Sequence, residues 1–192
     1  LYEPTAGPVQ LASATEITPL LQAASEAVGT HRFSLAFLLS EWEHVVDAWQ
    51  LDSWESYRDV VRLGRKTRLS DAQRQILWEI FARVRAGLET RSLLTPAALF
   101  TRLATILPTR SAPAFDFAVI DEAQDLAVYH LRFLVALAGG EGTLRPNALF
   151  FAGDLGQRIF QQPFSWKSLG VDVRGRAHTQ RVKYSTPHQI RS

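Results

Sequence analysis

From Ser34 onward, apolar residues recur every three or four positions: Leu35, Leu38, Leu39, Trp42, Val45, Val46 and Trp49. That spacing lays one apolar stripe along an α-helix of about 3.6 residues per turn. The same period returns behind Ser70 as cap, in Ile76, Leu77, Ile80, Phe81, Val84 and Leu88. It returns again behind Thr95-Pro96, in Leu99, Phe100, Leu103, Ile106 and Leu107. Ser and Thr accept the first free helical amides, and Pro is pre-shaped for a first turn. Between these stripes, Asp52 or Ser53 can cap a short helix containing Trp54, Tyr57 and Val61, which Gly64 would end. Upstream, a Pro- and Gly-rich opening reads as a loop with a short strand over residues 9–12. A first helix is expected over 18–28, with Pro19 in its first turn and Gly29 just beyond its end. Residues 31–107 therefore read as an all-helical block.

The pattern changes after Pro108. Phe115-Asp116-Phe117-Ala118-Val119-Ile120 is a short apolar run of strand type that stops at Asp121-Glu122-Ala123-Gln124-Asp125. A helix follows through Leu126, Tyr129, Leu131, Leu134, Val135 and Leu137, and Gly139-Gly140 ends it. Ala148-Leu149-Phe150-Phe151-Ala152 is a second apolar run, broken by Gly153-Asp154. Strand–helix–strand order predicts a parallel pair with a right-handed crossover. Ligands of such sheets gather beyond the carboxyl ends of the strands, where both Asp-containing breaks fall.

Composition narrows the class. The chain has 192 residues, 46% hydrophobic and 21% charged, which excludes a disordered or fibrous protein. No apolar run approaches the roughly 18–20 residues that span a bilayer, so no membrane association is expected. The opening LYEPTAGPVQ has neither a basic nor an apolar leader segment. Zero cysteine excludes disulfides, zinc–thiolate sites and thiol catalysis, and fits a reducing cytoplasm. A first residue that is Leu and not Met fits an excised fragment.

The formal net charge of +2 is unevenly spread. Residues 141–192 carry eight Lys and Arg against three Asp and Glu, whereas residues 1–140 are net acidic. A basic C-terminal third can attract a polyanion, or simply be a solvated face. The basic stretch Arg62–Arg68 admits the same two readings. Trp42, Trp49, Trp54, Trp78 and Phe81 of the helical block sit at amphipathic positions and are expected to be core.

The candidate chemistry lies at the strand ends. A carboxylate just past a buried strand, such as Asp121, suits Mg²⁺, a hard cation that prefers oxygen ligands. Its neighbour Glu122 points differently and can orient or deprotonate a water. Together they meet the needs of phosphoanhydride hydrolysis, which rests on placement and electrostatics. A plainer reading makes Asp121, Glu122 and Asp125 charges that complement the next helix N-terminus. Past the second break, Gln157 can hydrogen-bond a terminal phosphate or an attacking water. Arg158 adds a cation, and Phe160, Phe164 and Trp166 can stack on unpaired bases or pack back onto their own domain.

FDFAVIDEAQD resembles motif II, the Walker B element, of UvrD/Rep-type superfamily 1 DNA helicases. FFAGDLGQRIF resembles their motif III and RVKYSTPHQIR their motif IV, in the same order and at fitting intervals. The resemblance covers residues 115–192 and implies an α/β fold: part of a RecA-like parallel sheet of P-loop NTPase type. The preceding helices would be similar to the inserted 1B subdomain. The division is then 1–30 as loop and helix, 31–110 as the 1B-like subdomain, and 111–192 as the later part of the first RecA-like domain. The resemblance implies ATP and Mg²⁺ as cofactors, with Asp121 serving the metal, Glu122 activating water and Gln157 sensing the γ-phosphate. It implies single-stranded and duplex DNA as partners, together with the rest of a helicase chain. Phe160 matches the aromatic after the motif III Ile. The family often places a Trp two residues later, where this chain has Gln162, so Phe164 or Trp166 would substitute.

Two departures stand out. No GxxxxGK[ST] occurs, so the backbone cradle and lysine for a triphosphate are missing from these residues. In motif IV, Lys183-Tyr184-Ser185 replaces an Asn-Tyr-Arg pattern, placing Ser185 where an arginine would meet the γ-phosphate. A hydroxyl does not replace a guanidinium in neutralising phosphate. Two functions follow as expectations: a fragment of an ATP-dependent DNA helicase, inactive by itself, or a degenerate helicase-like interaction module for nucleic acid or protein.

Overall fold

A computed structural model describes residues 8–29, 31–62, 68–109, 115–140, 143–144 and 147–153. The chain opens with β1 (Gln10–Leu11) and α1 (Ala14–Val28), then α2 (Leu35–Glu41), which runs directly into a π-helical segment, Trp42–Asp47. Next come α3 (Trp54–Asp59), α4 (Asp71–Thr90), β2 (Leu93–Leu94) and α5 (Pro96–Ile106), which closes in a 3₁₀ turn, Leu107–Thr109. The last described part holds β3 (Ala118–Ile120), a 3₁₀ turn (Ala123–Asp125), α6 (Val128–Ala138), β4 (Gly139–Gly140), β5 (Thr143–Leu144) and β6 (Leu149–Phe151).

The helix starts follow local hydrogen-bond chemistry. Ser34, Ser53, Ser70 and Thr95 each accept the amide three residues on, as the capping rule expects. α1 starts four residues before the predicted position, where the Glu16 carboxylate reaches back to accept the Ser13 amide and hydroxyl. That leaves Pro19 inside the helix, where it forgoes one backbone hydrogen bond. α3 ends at Asp59, not at Gly64, and the extended Val60 turns Val61 out to solvent at 68% exposure. The π-helical turn is a second departure: the stripe from Leu35 to Trp49 is one apolar face interrupted by a wider turn.

Residues of α1, α2, the π-helix, α3, α4 and β2 share one hydrophobic core. Its centre is Leu21, Leu38, Val46, Tyr57, Leu77, Ile80, Phe81 and Val84, all fully or almost fully buried. Trp42 and Tyr57 pack on Phe81 with ring centroids 6.0 and 5.9 Å apart, so these aromatics are core, as their helical spacing predicts. α1 lies close on α4 at Gly87, where an added Cβ would fall 2.6 Å from Leu20. β1 pairs in parallel with β2, tying the start of the chain to the end of α4. The two-residue strand β2 has no counterpart in the helical reading of residues 31–107.

α5 turns away from that core and packs mainly against α6. Phe100 anchors the contact, with ring centroids 5.9, 4.8 and 5.1 Å from Tyr129, His130 and Phe133. β3 and β6 pair in parallel, Ala118 opposite Leu149 and Ile120 opposite Phe151, with α6 between them in the chain. Among the described residues this sheet has two strands, and β4 with β5 form a separate antiparallel pair. The architecture is thus helix-rich with short parallel pairs. No helix among the described residues is long and apolar enough to cross a membrane.

Two carboxylates pack against the core, one fully buried and one partly. Glu41 is fully buried and takes a two-pronged ion pair from Arg62, 2.6 Å on each prong, plus the Tyr57 hydroxyl at 3.2 Å. Arg62 therefore faces inward, not toward a phosphate backbone as the basic stretch allowed. Burial and the Glu41 charge push the Tyr57 phenol well above its usual range.

Asp47 is the second. Burial pushes its carboxyl up, against the Thr95 and Gln50 hydrogen bonds and the Arg85 charge, with Glu43 adding to the rise. The native state thus holds this proton to higher pH than the unfolded chain does. As pH rises from the ordinary value near 3.8 through the native one, the unfolded state has fewer protons and stability falls. Asp47→Asn keeps an oxygen acceptor and has no charge to bury. Urea midpoints measured across that pH window should decline in the parent relative to Asp47→Asn, leaving the variant at least as stable at neutral pH. Parallel curves would show that Asp47 titrates alike in both states.

Candidate functional site

The two apolar runs behave as interior strands on one side only. Ala118, Ile120, Leu149 and Phe151 are partly covered, whereas Phe117, Val119 and Phe150 are 69%, 66% and 62% exposed. Strands apolar on both faces are typical of parallel sheets covered on both sides. The regular ladder is only three residues long, shorter than the apolar run from Phe115, so Phe115 and Phe117 precede it as exposed chain.

At the carboxyl end of the pair the chains remain joined. The Ala152 amide donates to Ile120 O at 2.8 Å, and the Ala123 amide donates to Ala152 O at 2.8 Å. This second bond carries the ladder past Ile120 and pins the Asp121–Glu122 corner against the approach to Gly153. Asp121 and Glu122 are both exposed there, and Asp121 Oδ1 accepts the Glu122 amide at 2.9 Å. Glu122 has φ 51° and ψ 41°, the left-handed conformation, after which Asp125 donates to Glu122 O at 3.0 Å and closes the 3₁₀ turn. A non-glycine residue held there costs about 1–2 kcal/mol, and such strain clusters at functional corners. Nothing in the residue pattern points to this backbone geometry.

The start of α6 also draws on a residue of its own first turn. The Ala127 amide donates to His130 Nδ1 at 3.1 Å, so a ring nitrogen one turn into the helix takes a role usually filled by Glu or Gln. Burial holds the His130 pKa down, which keeps that nitrogen free to accept. Sequence reading passed over this residue; its signal is its place three residues after the helix cap.

Of the residues proposed from sequence, Asp121 and Glu122 come together at one corner. Gln157, Arg158, Phe160, Phe164, Trp166 and Ser185 lie outside the described residues. Among the described residues no group of three or more His, Asp or Glu is arranged to hold a metal ion. The oxygens at the corner suit a hard cation held through one carboxylate with water completing its shell. Comparison with known protein families, curated proteins and solved structures returns no match.

Proposed function

We propose that the chain is the motif II to motif IV portion of an ATP-dependent, UvrD/Rep-like DNA helicase, whose whole protein couples ATP hydrolysis to movement along single-stranded DNA. One observation carries the reading. The DEAQD corner and Gly153 follow the carboxyl ends of two strands that are paired in parallel and bonded to each other there. That is where a sheet of this kind places phosphate chemistry. On this reading β3, α6 and β6 belong to a RecA-like domain, and the helices before them correspond to the 1B insertion.

The residues take distinct roles. Asp121 would hold Mg²⁺, which supplies charge neutralisation on the phosphates when bound. Glu122 orients a water and accepts its proton. Gln157 reports the phosphate state, and Arg158, Phe160, Phe164 and Trp166 meet single-stranded DNA through charge and stacking.

Residues 1–192 alone should turn over no ATP, because the backbone amides and lysine of a phosphate loop are not among them. The test is a steady-state Mg-ATPase assay, with and without single-stranded DNA, on this chain and on the product of its complete gene. DNA-stimulated turnover by the latter alone supports the helicase. Turnover by neither, with DNA binding retained, identifies the degenerate interaction module that Ser185 also suggests. In an active parent, Ser185→Arg should raise kcat clearly with little change in DNA affinity. If kcat is unchanged by Ser185→Arg and abolished by Lys183→Ala, Lys183 is the phosphate contact.

A further inference from the structure

α5 leaves the helical core at Thr95, and the way it leaves is unusually well determined. The Thr95 hydroxyl does two things at once. It accepts the Ala98 amide at 3.1 Å, capping α5, and donates to Asp47 Oδ1 at 2.6 Å. Asp47 closes the π-helical segment, whose Val45 and Val46 belong to the main core. The same Asp47 Oδ1 receives the Gln50 side-chain amide at 2.7 Å, and that amide also reaches Asp47 O at 2.7 Å.

The backbone around this pair is bent to suit it. Gln50 and Ser92, each three residues from one partner, hold left-handed φ values of 52° and 55°. Such conformations persist only where surrounding contacts determine them. A second contact spans the same two bodies: Arg132 of α6 sits 5.8 Å over the Trp49 ring. No other capping residue of this chain is held from a distant element in this way among the described hydrogen bonds.

We infer that Asp47 and Thr95, with Trp49 and Arg132 as a second clasp, form a joint that sets the angle between the helical core and the α5–α6 unit. Because α6 follows directly from the DEAQD corner, the joint also sets how that corner faces the helical core.

The chain has no cysteine, so Gln75→Cys on α4 and Thr105→Cys on α5, both exposed, give a spin-label pair without background. Pulsed electron–electron distance measurement on the full chain then reads the α4–α5 geometry. The parent and Thr95→Ser, which retains the hydroxyl, should give one narrow distance distribution. Asp47→Ala should broaden it at least twofold while leaving helical circular dichroism intact, although Thr95 can still cap Ala98. Thr95→Val should broaden it too. A distribution unchanged in Asp47→Ala overturns the inference, and broadening in Thr95→Val alone reduces Thr95 to a cap. Unfolding of the whole chain by Asp47→Ala also overturns it, because a joint leaves the core standing.

Discussion

Arg62→Ala should cost the helical core about 3–5 kcal/mol, the usual penalty for removing one partner of a buried ion pair. The Glu41 and Arg62 side chains are 0% and 5% exposed, and their two hydrogen bonds are parallel and short. Without the guanidinium, Glu41 keeps the Tyr57 hydroxyl but has to hold a charge away from water. Domains of this size are stable by about 5–15 kcal/mol, so the loss is a large share of the total. Urea unfolding followed by circular dichroism and tryptophan fluorescence measures it. Replacing both partners, Glu41→Met with Arg62→Met, should recover most of the stability, since an apolar pair has no charge to desolvate. A loss below about 1 kcal/mol in Arg62→Ala would place the pair with weak surface bridges.

The second large effect is kinetic. In an active full-length parent, Glu122→Gln should lower kcat by about 100-fold or more and leave the KM for Mg-ATP nearly unchanged. A carboxylate that accepts a proton from water acts in the transition state, whereas ground-state binding depends on other groups. Glutamine matches glutamate in size and meets the left-handed backbone at position 122 at similar cost, so the corner keeps its shape. Steady-state kinetics at saturating single-stranded DNA reads the effect. An unchanged kcat would reduce Glu122 to a charge at a turn.

The helical stripes were open to reading because they record burial directly. Of the stripe Ile76, Leu77, Ile80, Phe81, Val84 and Leu88, all but Ile76 are buried on α4, and Ile76 packs partly buried against the same core. Caps were readable for a similar reason: Ser53, Ser70 and Thr95 act on amides three residues away, so their chemistry is local. The two apolar runs and the helix between them pointed to a parallel pair, and β3 pairs with β6 in that sense. At the corner, the residue types of Asp121 and Glu122 suggested phosphate chemistry, and their place past a strand followed from where the apolar run stopped.

Other features depended on partners far apart in the chain. The direction of Arg62 was invisible within a run of basic residues, because the Glu41 that turns it inward lies 21 positions earlier. Asp47 and Thr95 meet across 48 positions, and β1 pairs with β2 although α1 through α4 lie between them in the chain. The π-helical turn and the left-handed Glu122 answer to packing and to the Ala123–Ala152 bond, not to local preference. The sequence by itself determined where the Ser- and Thr-capped helices after residue 31 begin, which faces they bury, and where the carboxylates follow an apolar strand, since each depends on neighbours within a turn or two. Tertiary structure decided which charges went inside, how the corner was bent, and how α5 departs from the core, because each needs a hydrogen-bond partner that only the folded chain brings near.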